Sequence, residues 1–146
     1  MKRDRREHLR HNPFGTAASG GAVVLGGLGA ILGDDVSQGM TLSLHASATV
    51  VAHLWGLMLA TGGILKLYGL YWGRSTMEIP GLWMMSGAYF FYSLTVAAGL
   101  GMGGLAAAIL SAALGVGCLI KVKIIMRHAR IAGRQHDAHD AHAEDE

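Results

Sequence analysis

The sequence predicts an all-α integral membrane protein: a four-helix bundle built from two helical hairpins, both termini cytoplasmic, with a cytoplasmic basic amphipathic extension. Three observations lead there. Apolar residues make up 51% of the chain and charged residues only 15%, against about 25% charged in soluble domains. The basic residues gather at the ends, Lys2, Arg3, Arg5, Arg6 and Arg10 in front and Lys121, Lys123, Arg127, Arg130 and Arg134 behind, with only Lys66 and Arg74 between. Finally, the run from Ile79 to Ile120 contains no Asp, Glu, Lys or Arg. As one helix it would extend about 63 Å at 1.5 Å per residue, roughly twice the hydrocarbon core of a bilayer. It must therefore fold into two crossings.

The fold in that run falls at "GLGMGG", Gly99 to Gly104. The spacing matches G-x-G-x-x-G, which cradles a dinucleotide only between a strand and a helix, with an acid about 20 residues on. The surrounding run offers neither a ribose acceptor nor a cation for phosphates. Glycine accepts positive φ and lets helices approach closely, so the stretch is read as a hairpin between helices at 80–98 and 104–126. Upstream, 48–71 supplies another crossing. The first, 15–33, is uncharged but weakly apolar because of its many glycines. The basic start followed by an apolar region has the outline of a secretory signal, but "GDDVSQGM" stands where a small-residue cleavage site is needed. The segment is read as a retained span. The chain thus divides into a basic N-terminal segment (1–14), a membrane domain (15–126), and a basic helix end with a disordered His/acidic tail (127–146).

Charge placement agrees with this count, because Lys and Arg concentrate on the cytoplasmic side of short loops. Four crossings put the N-terminus, the loop "GRSTMEIPG" and the C-terminus on one side, which then holds every Lys and Arg except Lys66. The opposite side receives "DDVSQGMTLS" and the uncharged glycine hairpin. Tyr68, Tyr71, Trp72 and Trp83 flank the basic-side loop, where amphipathic rings favour the headgroup level.

Few residues point to chemistry. Lys66 is charged within a span, which flags a polar contact or a pore lining, yet it lies near its helix end and has a stem long enough to snorkel to the interface. His53 lies deeper and is read as a helix-to-helix hydrogen-bond partner or part of a solute or proton path. His45 is read as interfacial, and the single Cys118 as a packed side chain. Ser86, Ser93 and Ser111 have no base nearby in sequence and the spans hold no carboxylate, so no enzyme, cofactor or metal site is expected. Small residues recur every four positions at Ala22, Gly26 and Ala30, with Gly29 and Gly33 beside them, and at Gly103, Ala107, Ser111 and Gly115, with Gly104, Ala108 and Ala112 alongside. Such stripes permit close helix association, and homo-oligomers are expected. Lys121, Lys123, Arg127, Arg130 and Arg134 are assigned to anionic lipid headgroups; no base-reading module accompanies them, so nucleic acid is not an expected partner. His136, His139 and His142 sit in a tail read as solvated.

A short Gly/Ala-rich, Arg-biased multi-span chain with basic juxtamembrane ends and a charged tail resembles small membrane proteins of bacteriophages of high-GC actinobacteria, including the holins. The resemblance is one of layout. It implies accumulation in the bacterial host's cytoplasmic membrane, assembly through small-residue faces, and timed permeabilisation that releases a lytic enzyme. A non-lytic transporter or channel subunit, or an accessory protein of a mobile element, is the alternative that the same layout allows.

Overall fold

The computed structural model describes residues 13–44, 47–73 and 75–143, with the side chains of 34, 75, 128–130 and 132–143 outside that description. The described chain is all helical, without a strand. Four long helices, α1 (Pro13–Leu32), α3 (Ala48–Trp72), α4 (Ser75–Leu100) and α5 (Leu105–Ala143), run alternately up and down, and a short α2 (Gln38–Leu44) packs on α4. Three helical stretches are long and apolar enough to cross a membrane: Pro13–Leu32, Ala48–Trp72 and Thr76–Arg127. The last of these doubles back on itself at a 3-10 turn, Gly101–Gly104.

The reversal is visible in the contacts. Ser93 donates to the carbonyl of Ala108 at 2.8 Å, Ser86 to that of Gly115 at 3.0 Å, and Glu78 meets Lys121 at 2.8 Å. Partners thus step apart in opposite directions from the turn, as in an antiparallel pair. Gly101 adopts φ +52° at the bend, a conformation that costs an L side chain about 1–2 kcal/mol and glycine nothing. "GLGMGG" is therefore a helix-to-helix turn, and the expected hairpin is in place with helix ends within a few residues of 98 and 104.

Glycine contacts fix the other long pairing. A side chain at Gly26 would run into the backbone of Gly56 and Ala60, and one at Gly63 would lie 3.0 Å from the carbonyl of Ser19. Hence α1 and α3 touch backbone to backbone, which is how a weakly apolar, glycine-rich helix is held. Pro13 starts α1 at the position where its missing N–H is harmless. Gly73 ends α3 in the left-handed conformation, its N–H returning to Gly69 O.

Three boundaries differ from the sequence reading. The loop "GRSTMEIPG" is mostly helix, because α4 begins at Ser75 with Pro80 inside it; Pro80 withholds the N–H that Thr76 O would receive, but the flanking turns are held by contacts with α3. "DDVSQGMTLS" folds as a 3-10 turn (Gly33–Val36) and α2. Burial of Met40 and a bond from Ser43 Oγ to Thr95 O at 2.5 Å seat this short helix against α4. Lastly, α5 stays helical to Ala143, into the segment read from composition as a disordered tail.

Candidate functional site

The distribution of side chains is inverted relative to a water-soluble bundle. Polar residues lie inside: Ser19, Lys66, Glu78, Ser86, Thr95 and Ser111 are all buried. Large apolar residues lie outside, with Phe14, Ile31, Leu94 and Met102 each more than 70% exposed. Soluble proteins rarely leave contiguous apolar surface of this extent.

The charged residues of the helices meet at one end of the bundle. Lys66 shares a face of α3 with the buried Leu59, Gly62, Gly63 and Gly69, so it points inward. It is 3% exposed, and its Nζ donates to Gly15 O, in the first turn of α1, at 3.1 Å. Glu78, in the first turn of α4, lies where an acid is favoured by the helix dipole. Gly69 lets it approach, since a Cβ at Gly69 would sit 2.9 Å from Glu78 Cα. Lys121 of α5 then meets Glu78 Oε1 at 2.8 Å, an ionic contact in which that oxygen accepts no aligned hydrogen bond. Among residues with described side chains, Glu78 is the only carboxylate at this end. Lys121 thus pairs with the acid, while the Lys66 ammonium is held by a backbone carbonyl. Tyr68, Tyr71 and Trp72 stand exposed at the same end, the Trp72 ring 5.6 Å from Tyr68 and 5.9 Å from Tyr71.

The bundle is open on one side. α1 packs on α3, α3 on α4 and α4 on α5, but α1 and α5 form no comparable interface. Two adjoining cavities of about 310 and 370 Å³ occupy the gap, sharing Phe14, Ala18, Tyr89, Leu110 and Leu114. Lys66, Lys121 and Cys118 border the first, and Trp55, Tyr92 and Ser111 the second. The floor is rigid: Trp55 stacks on Tyr92 with ring centroids 5.2 Å apart and donates from Nε1 to Ala88 O at 2.9 Å.

The structure sorts the residues singled out from sequence. Ala22 and Gly26 are buried against α3 and Ala30 is partly buried. The α5 stripe splits: Gly115 packs on Phe90 of α4 and Ser111 is buried at the edge of the second cavity, while Gly103 and Ala107 are exposed, the inward positions of those turns going to Gly104 and Ala108. Because 3.6 residues make a turn, a strict four-residue repeat drifts off one face. His53 makes no bond to another helix through the nitrogen described: its Nδ1 pairs with Thr49 O of its own helix at 2.6 Å, and its ring abuts the Gly33 turn. Lys66 does not snorkel outward. Lys121 is engaged by Glu78 in place of a free surface position, whereas Lys123 and Arg127 are exposed. The side chains of Arg130, Arg134, His136, His139 and His142 lie outside the described residues, as does His45. Cys118 is buried and unpaired in disulfide.

Sequence reasoning passed over Glu78, Tyr89, Trp55 and the small-residue face of α3. The signal for Glu78 was present: folding the chain at Gly101 brings positions 78 and 121 level. Comparison with described protein families, curated proteins and solved structures gives no match.

Proposed function

We propose that the protein is a four-pass constituent of a bacterial cytoplasmic membrane, with both ends on the cytoplasmic side, and that it acts as a small non-lytic membrane subunit. The observation that carries this reading is the inversion of polarity: the buried Lys66, Glu78 and Ser86 bond to neighbouring helices, Ser19 and Thr95 bond to carbonyls of their own, and the outer surface is apolar. In hydrocarbon, exposed apolar side chains are at no disadvantage, and polar groups must find partners inside. The start of α1, the α3–α4 turn and Lys121 lie at one end of the bundle, and Asp35 and the Gly101–Gly104 turn at the other. Under the positive-inside tendency the basic end is cytoplasmic.

A non-lytic role is supported by where the small-residue faces are used. Gly26 meets α3 with Ala22 buried beside it, and Gly115 meets α4, within one chain. The centre, at Leu59, Leu82, Met85 and Ala88, is filled, leaving no lumen through a single copy. What one copy offers is its open side between α1 and α5.

Holin-like permeabilisation is the second reading, favoured by glycines open to another chain. A side chain at Gly20, Gly27 or Gly117 would meet nothing within 4 Å, so these turns of α1 and α5 can receive a second helix. Induced expression in a bacterium separates the two. A non-lytic subunit partitions with membranes and leaves membrane potential unchanged; abrupt depolarisation after a delay supports the holin-like reading and sinks the first.

A further inference from the structure

The groove between α1 and α5 has a length, a polarity and a depth that together describe a ligand. Its walls run from Phe14 to Leu25 on α1 and from Leu110 to Lys121 on α5, which at 1.5 Å per residue is about 16 Å. That is about half of the ~30 Å hydrocarbon core, the thickness of one leaflet. The walls are apolar except at one end. There Lys121, partly buried, meets Glu78, while Lys66, buried, forms no ion pair, leaving an excess of positive charge among the described residues. An ammonium carries three donors, of which Lys66 gives one to Gly15 O. This end is also level with Tyr68, Tyr71 and Trp72, whose exposed rings mark headgroup depth.

We propose that the groove holds one anionic phospholipid of the cytoplasmic leaflet, its phosphate at Lys66 and Lys121 and an acyl chain lying along α1 and α5 over Tyr89 and Trp55. The proposal rests on the membrane reading above and adds a specific occupant to the open side. Charge complementarity favours a lipid over a second copy of the chain: the facing surface of another α1 or α5 carries no acid in its membrane portion, whereas an anionic headgroup supplies the missing negative charge at the right depth.

The test is native mass spectrometry of the full chain extracted in non-ionic detergent, titrated with phosphatidylglycerol or phosphatidylcholine of identical acyl chains. One phosphatidylglycerol per chain is expected, bound about tenfold more tightly than phosphatidylcholine, whose choline cation cancels its phosphate charge and is repelled by the two ammonium groups. Lys66→Met removes one of the two cations at the headgroup and should reduce the preference, weakening phosphatidylglycerol more than phosphatidylcholine. Gly117→Leu, which projects into the groove without meeting an atom within 4 Å of its Cβ, should weaken both lipids and leave the fold intact. Inorganic phosphate should not displace the lipid. Equal affinity of the wild-type chain for the two lipids, displacement by phosphate alone, or a lipid-free dimer would each overturn the proposal. Recovery of the chain from the soluble fraction without detergent would overturn the membrane reading itself, so the two failures are distinguishable.

Discussion

Gly26 and Gly27 are neighbours on α1, and the structure assigns them opposite responses to the same substitution. At Gly26 an added Cβ would lie 2.7 Å from Gly56 O and 2.9 Å from Ala60 Cα, with the Ala60 amide nitrogen closer still. All three are backbone atoms, so no rotamer change relieves the overlap. Ordinary contact begins at 3.4 Å, and clearing the carbonyl alone requires the helices to part by about 0.7 Å, a gap that forfeits a quarter to a half of the dispersion energy at each contact. Overpacking of this kind costs about 1–3 kcal/mol. At Gly27 the same Cβ meets nothing within 4 Å, and replacing glycine by alanine within a helix gains up to about 1 kcal/mol. That gain applies at both positions, so Gly26→Ala and Gly27→Ala should differ by the overpacking cost, about 1–3 kcal/mol, with Gly26→Ala the less stable and Gly27→Ala above wild type. Reversible unfolding in mixed detergent and dodecyl sulfate micelles measures this, with tryptophan fluorescence as the signal, since the Trp55 ring packs beside Gly29 of the same interface. Shifts of the same sign and similar size would refute the backbone contact between α1 and α3.

Further outcomes follow from other contacts. Lys121→Met leaves Glu78 without its cation in a largely buried position and should destabilise by about 1–3 kcal/mol, less than a fully buried pair because both side chains retain some solvent access; adding Glu78→Gln should restore most of the loss in the same unfolding assay. Gly101→Val places a β-branched side chain at φ +52° and should cost about 1–3 kcal/mol, whereas Gly103→Ala, with open space around its Cβ, should be silent. Ser43→Ala removes the hydroxyl whose one proton is shared between Thr95 O and Gly39 O and should cost about 1 kcal/mol, loosening α2, which increased maleimide labelling of a cysteine at Met40 would report.

Which of these features were legible in the sequence follows from their physical origin. The hairpin at Gly99–Gly104 was legible because a length limit, the bilayer thickness, forces a fold into an uncharged run and glycine is the residue that permits it. Helices α1 and α3 were legible for the same reason, within two residues at each end. α2 was not, because Gly39, Thr41 and Ser43 are weak helix formers and the helix exists through burial of Met40 and a bond to another helix. The inward direction of Lys66 depends on which face of α3 is covered. The face was written as Gly56, Gly63 and Gly69, small residues in register with Lys66, but its meaning required the partners Ser19 and Glu78. Composition likewise exposed the small-residue stripe of α5 without its exact phase, so Gly103 and Ala107 were grouped with Ser111 and Gly115 although they face outward. The open groove could not be read at all, since it arises from two helices that fail to meet.

The four crossings are tested most directly by accessibility of single cysteines in intact cells, in a Cys118→Ala background. Asp35 and Met102 are exposed at one end of the bundle and Lys123 at the other. A membrane-impermeant maleimide should label cysteines at 35 and 102 from outside, and one at 123 only after the membrane is permeabilised. Labelling of both 102 and 123 from the same side of an intact membrane would contradict the arrangement.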